Sequence, residues 1–182
     1  MANPLTLLKL KPRALQFIQE VPVEAPPARV WETLVNVGRW WGFDPGDRPK
    51  WTLELWPGGR FLSESSDGIQ MLHGLVTYIE PNKLLRMSGQ MGQSHLPVMH
   101  AFIWELQPRN DGRTTLLRFG QRSHGVVDAD IGKRMKRGWT MLFANLKAAA
   151  EGRERPTATW DDDNAAPRGG SAKKKRRKAV KA

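Results

Sequence analysis

The 182-residue sequence contains no cysteine. This absence excludes disulfide bonds, thiol nucleophiles and cysteine-containing metal sites, and it is typical of proteins that work in a reducing compartment. The sequence also lacks an apolar run of about 18 residues, and Lys9, Lys11 and Arg13 interrupt its N-terminal stretch, so neither a signal peptide nor a transmembrane helix is expected. We therefore expect a soluble, cytoplasmic protein with one domain and tails.

Catalytic and cofactor-binding motifs are missing as well. The sequence has no Walker loop, no dinucleotide-binding glycine pattern and no HExxH metal motif. The segment "SHGVVDAD", residues 123–130, combines serine, histidine and aspartate, but no nucleophile elbow surrounds Ser123. Asp128 or Asp130 is instead suited to cap the helix that follows. We expect no metal and no cofactor, and we favour a non-enzymatic function.

The formal net charge of +11 is distributed unevenly. Residues 153–182 carry a net charge of +6, and they contain few apolar residues and no hydrophobic period, so this tail is predicted to be disordered. It includes six consecutive cations, which are Lys173, Lys174, Lys175, Arg176, Arg177 and Lys178. Such a run can contact polyanions, for example nucleic acid or an anionic membrane surface. We favour the alternative interpretation, a solvated tail without a specific partner.

Hydrophobic periodicity predicts the order of the elements. Alternation over residues 14–24 indicates a first strand, and apolar residues at helical spacing follow Pro26 and Pro27. Residues 50–123 then contain about six strand-like segments separated by turn signals, and residues 128–152 have the 3.6-residue period of a long helix. This order predicts an antiparallel α+β fold in which the helix covers one face of the sheet.

The segment "RWWGFDPGDRPKWTLELWPGGRF", residues 39–61, contains four of the eight tryptophans. Such aromatic side chains can fill an ordinary core, or they can form the wall of a pocket. Two adjacent tryptophans, Trp40 and Trp41, cannot both point in the same direction, so at least one of them is expected near the surface. An apolar side chain in that position favours a binding site.

Strand alternation predicts which side chains face the interior. In "HAFIWEL", residues 100–106, the large aromatic side chains share one face with His100. In "GIQMLHGLV", residues 68–76, both faces are mostly apolar; His73 shares one of them with Ile69, Met71 and Leu75. The two histidines are either polar anchors for a ligand or hydrogen-bonded core residues. His95 and His124 fall in predicted loops, where we expect them to be solvated.

Six pieces of the sequence follow one another in an order that resembles a known superfamily. They are "VWETLV", "RWWG", "WPGGRF", "HGLVTYIEPNKLL", "FIWELQPRNDGRTTLLRF" and "GWTMLFANLK". The sequence resembles the START-like superfamily (also called SRPBCC or Bet v 1-like), and more closely its branch of activators of heat-shock-protein-90 ATPase. The resemblance covers residues 14–152, between an N-terminal extension of residues 1–13 and the tail of residues 153–182.

This resemblance implies a helix-grip α+β fold, in which a curved antiparallel sheet of about six to seven strands surrounds a long C-terminal helix. It also implies an apolar cavity between the sheet and the helix. The expected lining residues are Trp40, Trp41, Phe43, Trp51, Leu53, Phe61, Met71, His73, His100, Phe102, Trp104, Leu117, Phe119, Met135, Trp139 and Leu142.

The resemblance leaves three interpretations of function open. The first is non-enzymatic binding of a small hydrophobic or amphipathic molecule in that cavity. The second is a cavity enzyme of the polyketide-cyclase type, in which His73, His100, Tyr78 or Glu105 would act as the acid or base. The third is a chaperone-associated interaction module. Full activators of that family carry an additional N-terminal domain that these 182 residues do not include, so co-chaperone activity is not expected.

Overall fold

The computed structural model describes residues 11–41, 49–127 and 129–156. These residues form a strand, a short helix followed by a 3-10 turn, six further strands and a long helix, in the predicted order. Their bounds are β1 (Arg13–Val23), α1 (Pro27–Val35), a 3-10 helix (Val37–Arg39), β2 (Lys50–Leu53), β3 (Arg60–Glu64), β4 (Gln70–Glu80), β5 (Leu84–Gly89), β6 (Val98–Arg109), β7 (Thr114–Gly125) and α2 (Ala129–Ala150).

All seven strands belong to one antiparallel sheet with the order β1-β7-β6-β5-β4-β3-β2. The first strand returns to pair with the last one, so β1 and β2 are the two edges of the sheet. Helix α2 packs across the concave face, where the rings of Phe119 on β7 and Trp139 on α2 are 4.3 Å apart. This arrangement confirms the predicted helix-grip α+β fold.

Helix α1 begins directly after Pro26, and Pro27 occupies its first turn. Proline is well tolerated there because an N–H at this position would have no partner within the helix. The helix buries Val30, Trp31 and Leu34, as the apolar stripe predicts, and the 3-10 helix then carries the chain to Trp40 and Trp41. Helix α1 therefore positions the two adjacent tryptophans next to the concave face of the sheet.

Strand β4 departs from simple alternation. Its pairing with β3 shifts between Phe61 and Leu62, and its pairing with β5 shifts between Val76 and Tyr78. Each shift inserts an extra residue, which reverses the faces of the residues that follow. As a result His73 and Val76 are buried, whereas Leu75 is 42% exposed. The prediction that Leu75 shares the covered face of His73 is therefore wrong, because it assumed an unbroken period of two.

The strands β4 and β5 approach each other closely beside the first irregularity. A Cβ atom on Gly89 would collide with the Cα of Gly74 and with the carbonyl oxygen of His73. Two glycines facing each other in this way are typical of a close backbone approach in a sheet. The close approach holds the backbone of His73 in place, so the glycine pair contributes to the position of one buried histidine.

Helix α2 contains two interior glycines, Gly132 and Gly138, each of which is expected to cost about 1 kcal/mol relative to alanine. A Cβ added to Gly138 would have open space around it to a distance of 4 Å. A Cβ on Gly132 would meet only a methyl group of Leu15, at 3.5 Å.

Within the described ranges, neither helix combines the length and the apolar character that crossing a bilayer requires.

Candidate ligand-binding site between the sheet and the C-terminal helix

The concave face of β6 and β7 is lined by side chains that alternate as predicted. The buried residues of this face are Val98, His100, Phe102, Trp104, Leu106, Thr115, Leu117, Phe119, Gln121 and Ser123. The intervening residues point outward, and among them Glu105 forms an ion pair with Arg118. Tyr78 also lies on the outer side, where the guanidinium of Arg86 is 5.1 Å from its ring centre. Neither Glu105 nor Tyr78 can therefore act as an acid or base inside the fold.

Trp41 connects the aromatic segment of residues 39–61 to the C-terminal helix. The centre of its ring lies 5.2–5.5 Å from the centres of four other rings, and three of these contacts are edge-to-face. These four rings belong to Trp40, Trp51, Phe61 and Trp139. Edge-to-face contacts are the favoured geometry of aromatic pairs. Trp41 is itself only half-buried, so it stands at the boundary between the core and solvent.

Trp40, whose ring centre lies 5.2 Å from that of Trp41, is a core residue. Only 2% of its surface is exposed, and its indole N–H donates a hydrogen bond of 3.1 Å to the carbonyl oxygen of Leu34. A buried tryptophan usually satisfies its N–H in this manner. The two rings nevertheless contact each other and line one space, so only the expectation that one of the pair lies near the surface agrees with the structure.

A void of about 20 Å³ lies beside Trp41. Its lining residues are Leu34, Val37, Trp40, Trp41, Leu53, Phe61, Leu85, Met87 and Trp104. A volume of this size accommodates about one water molecule. The space between these residues is therefore much smaller than the expected ligand cavity, because Trp41 and the four aromatic rings around it occupy the region between β2–β3 and α2.

His73 lies among aromatic rings at the β2–β3 side of the interior. Its ring centre is 5.0 Å from those of both Trp51 and Phe61, and its Nε2 is 2.8 Å from the hydroxyl oxygen of Ser63. Burial lowers the pKa of His73 to about 4, so the ring is neutral at pH 7. Its other ring nitrogen, Nδ1, is buried and has no hydrogen-bond partner among the described residues.

His100 belongs to a polar network beneath α2. Its Nδ1 is 2.7 Å from the hydroxyl oxygen of Ser123, and the amide nitrogen of Gln121 donates to the same oxygen at 3.0 Å. The side-chain carbonyl of Gln121 accepts a hydrogen bond of 2.7 Å from the indole N–H of Trp139. Burial lowers the pKa of His100 to about 4. Nε2 of His100 is buried and lacks a partner within the described part of the chain.

Serine, histidine and aspartate in "SHGVVDAD" do not form a triad. The side chain of Ser123 is buried on the concave face, whereas that of His124 is exposed on the other side of β7. The structure pairs Ser123 with His100 instead. Among the described residues, no three histidine, aspartate or glutamate side chains are grouped in a way that could hold a metal ion.

The remaining predicted lining residues divide by their burial. Leu117, Phe119, Trp139 and Leu142 are buried in the core, and Trp51, Leu53 and Met135 are half-buried. Met71 is 38% exposed and lies before the β4 irregularity. Phe43 and the cations of residues 173–178 lie outside the described residues, so both interpretations of the tail stay predictions.

Sequence reasoning missed several residues of the interior. Gln121 and Ser123 continue the face of Leu117 and Phe119 at a spacing of two, so the same alternation would have found them. Leu85 and Met87 face inward from β5 in the same way. Ser63 lies two residues after Phe61 on β3, so alternation places it on the same face, although its contact with His73 also depends on the β4 irregularity.

The comparisons with known proteins agree with this architecture. The family described as "Activator of Hsp90 ATPase homolog 1-like protein" matches residues 24–151. The protein Mll3558 from Rhizobium loti has a similar structure, with 20% identity, a TM-score of 0.62 and coverage of 77% of this chain and 99% of that one. CV1439 from Chromobacterium violaceum is 19% identical, with a TM-score of 0.58 and coverages of 75% and 96%.

The structure of Ara h 8.0201 is also similar, with 13% identity, a TM-score of 0.59 and coverage of 78% of this chain and 100% of that one. At these identities the likeness shows the fold, which is compatible with ligand-binding domains. The search among curated proteins finds no match. The family match spans most of the domain that carries the sheet and both helices. The chain therefore belongs to the family of activator of Hsp90 ATPase homolog 1-like proteins, within the START-like superfamily.

Proposed function

We propose that the protein binds a small apolar or amphipathic molecule between the sheet and the C-terminal helix, without catalysing a reaction. The observation that carries this proposal is a set of three buried nitrogens without hydrogen-bond partners among the described residues. These atoms are Nδ1 of His73, Nε2 of His100 and Nε1 of Trp104. All three belong to side chains that are more than nine-tenths buried and that contact the aromatic cluster.

Unpaired buried nitrogens are unfavourable in a core that only has to be stable. Leaving one polar group without a partner costs about 1–3 kcal/mol, and most native proteins avoid it. Ligand sites, in contrast, are mostly apolar and contain a few polar groups that fix the orientation of the ligand. A molecule with an apolar skeleton and one or two polar groups would provide partners for these nitrogens and would bury its skeleton against the rings.

Binding of any molecule larger than water requires a side chain to move, because the void is only about 20 Å³. Trp41 is the ring best placed to do so. It lines the void, it is half-buried, and it follows the short 3-10 helix rather than lying within a strand. Rotation of Trp41 away from Phe61 and Trp139 would join the void to the surface. The half-buried ring would then act as the cover of the site.

The direct experiment is native mass spectrometry of protein purified without refolding, which detects a retained small molecule. A titration with the neutral dye N-phenyl-1-naphthylamine then tests the site itself. We expect the variant Trp41→Ala to bind the dye at least tenfold more tightly, because removing the indole creates the space that the native protein must open. Trp56→Ala is the matched control, since Trp56 is 55% exposed and does not line the void.

The titration can also contradict the proposal. Equal dye affinities of Trp41→Ala and the control, with no small molecule retained by the native protein, would indicate a solid core. A second pair of ligands tests the unpaired nitrogens. We expect the native protein to prefer 2-naphthol to naphthalene, and we expect His100→Phe to reduce that preference because it removes the nitrogen that could bond the hydroxyl group.

A further inference from the structure

An open groove lies on the other side of the molecule, between the edge strand β1 and the first turns of α2. Its volume is about 490 Å³, far larger than the void beside Trp41. Its lining residues are Arg13, Ala14, Leu15, Gln16, Phe17, Val127, Gly132, Lys133 and Lys136. The groove uses no residue that lines the void beside Trp41, so it is a separate site.

The groove is open where α2 presents a glycine to β1. Gly132 faces Leu15, and only a methyl group of Leu15 would come within 4 Å of a Cβ there. Further along, the side-chain amide of Gln19 donates hydrogen bonds to the carbonyl oxygen of Lys136 and to the hydroxyl of Thr140, at 3.1 and 2.7 Å. These bonds tie the strand to the helix and close that end of the groove.

The groove combines an apolar floor with a basic rim. Leu15 and Phe17 are half-buried and Val127 is buried, and together these three side chains form the apolar floor. Three cationic side chains surround this floor, and none of its described lining residues is an acid. The carboxylate of Asp130 is 3.9 Å from the ammonium of Lys133, in an exposed pair. Surface pairs of this kind are weak and leave the cation available to a ligand.

We propose that this groove binds a single-chain amphipathic anion of the fatty-carboxylate class. The alkyl chain lies on Leu15, Phe17 and Val127, and the carboxylate is held by Lys133, Lys136 and Arg13. The four-residue rise from Arg13 to Phe17 spans about 14 Å, the scale of a medium-length alkyl chain. Charge and shape together favour this class, because a neutral chain would leave the cations unused and a small inorganic anion would leave the apolar floor exposed.

The charge requirement is tested by calorimetric titration with laurate below its micelle concentration. We expect laurate to bind and dodecyltrimethylammonium, which has the same chain and the opposite charge, not to bind. Lys133→Glu combined with Lys136→Glu is expected to weaken laurate binding at least tenfold, and added salt should weaken it in the native protein. Lys50→Glu combined with Arg109→Glu changes the net charge equally at exposed positions outside the groove and should leave laurate affinity unchanged.

The shape requirement is tested by filling the groove without removing a charge. Gly132→Leu places an isobutyl group above Leu15 and should abolish laurate binding, while the better helix propensity of leucine maintains the fold. Gly138→Leu is the matched control on the same helix, because Gly138 does not line the groove. Laurate affinity that is unchanged in Gly132→Leu would overturn the proposal. Loss in Gly132→Leu without loss in the double-glutamate variant would overturn the anionic class.

Two further measurements test two alternatives. In the first, the groove and the interior site are one site; in the second, the chain's own N-terminal segment fills the groove. The groove and the proposed interior site share no lining residue. Binding of N-phenyl-1-naphthylamine should therefore be equal in the native protein and in Gly132→Leu. If Gly132→Leu abolished binding of both ligands, the two sites would be one and the inference would fail. The full-length variant Leu7→Ser with Leu8→Ser tests whether the chain's own N-terminal segment occupies the groove. A tenfold gain in laurate affinity in that variant would assign the groove to that segment instead.

Discussion

The two halves of helix α2 meet the sheet in different ways. From Trp139 onward the helix is closed against β7, with ring distances of 4.3 Å from Phe119 to Trp139 and 5.0 Å from Phe119 to Phe143. In residues 130–138 no side chain is buried, and the groove beside β1 remains open. The difference shows that one amphipathic helix can seal the core with one half and leave accessible space with the other.

The closed half should dominate the stability of the protein. Phe119→Ala removes a fully buried ring from the centre of the cluster, so we expect a loss of about 3–5 kcal/mol in the free energy of unfolding. Phe17→Ala, on the open side, removes a half-buried ring and should cost about 1–2 kcal/mol. Urea denaturation at constant pH measures both values. Equal losses would contradict the distinction between a closed and an open half.

Acidification should weaken the closed interior through its two buried histidines. Folding lowers the pKa of His73 and of His100 to about 4, whereas a histidine in the unfolded chain titrates near 6.5. Between about pH 6.5 and pH 4, these histidines therefore bind protons in the unfolded state but stay neutral in the folded state. Stability is fully present above this window and is lost progressively as the pH falls through it.

Urea midpoints at pH 7, 6 and 5 measure this effect. We expect the pH dependence to flatten in the variant His73→Gln with His100→Gln, because glutamine does not titrate. The exposed pair His95→Gln with His124→Gln is the control and should retain the native pH dependence. Identical slopes in the two double variants would show that burial of His73 and His100 does not control acid stability.

The smallest expected effect on stability comes from the two interior glycines of α2, one in contact with β1 and one not. Gly138→Ala adds a methyl group where nothing lies within 4 Å, so it should stabilise the protein by about 0.5–1 kcal/mol through helix propensity alone. Gly132→Ala should stabilise it by at least as much, because its Cβ also reaches Leu15. Thermal unfolding of the two variants provides the measurement. Destabilisation by Gly132→Ala would mean that the open half already packs tightly against β1.

Much of the fold was predictable because it depends on local periodicity. The alternation of residues 100–106 predicted the buried face of β6, and the apolar stripe after Pro26 predicted α1. The same reasoning failed at Leu75, where the irregular pairing of β4 with β3 changes the phase of β4. Such irregularities are created by the neighbouring strands and by the Gly74–Gly89 contact, which a single strand's sequence does not reveal.

The candidate site was predictable to a lesser degree. The aromatic residues followed from the family resemblance and both buried histidines from strand alternation, but the histidines' partners Ser63 and Ser123 were not identified. The size of the void could not be predicted either. It depends on the direction of Trp41, and that direction is set by rings from β2, β3 and α2 that lie up to about a hundred residues away in the sequence.

The sequence by itself determined the order of the elements, the inward face of β6 and β7, and membership of the family. The first two depend on residue types repeated at short, fixed intervals, and the family resemblance depends on six pieces of sequence that follow one another in a set order. Only the tertiary structure decided which buried nitrogens have no partner, how little space remains beside Trp41, and where α2 separates from β1. These properties depend on contacts between distant segments, because volume and hydrogen-bond partners are set by whatever the folded chain brings together.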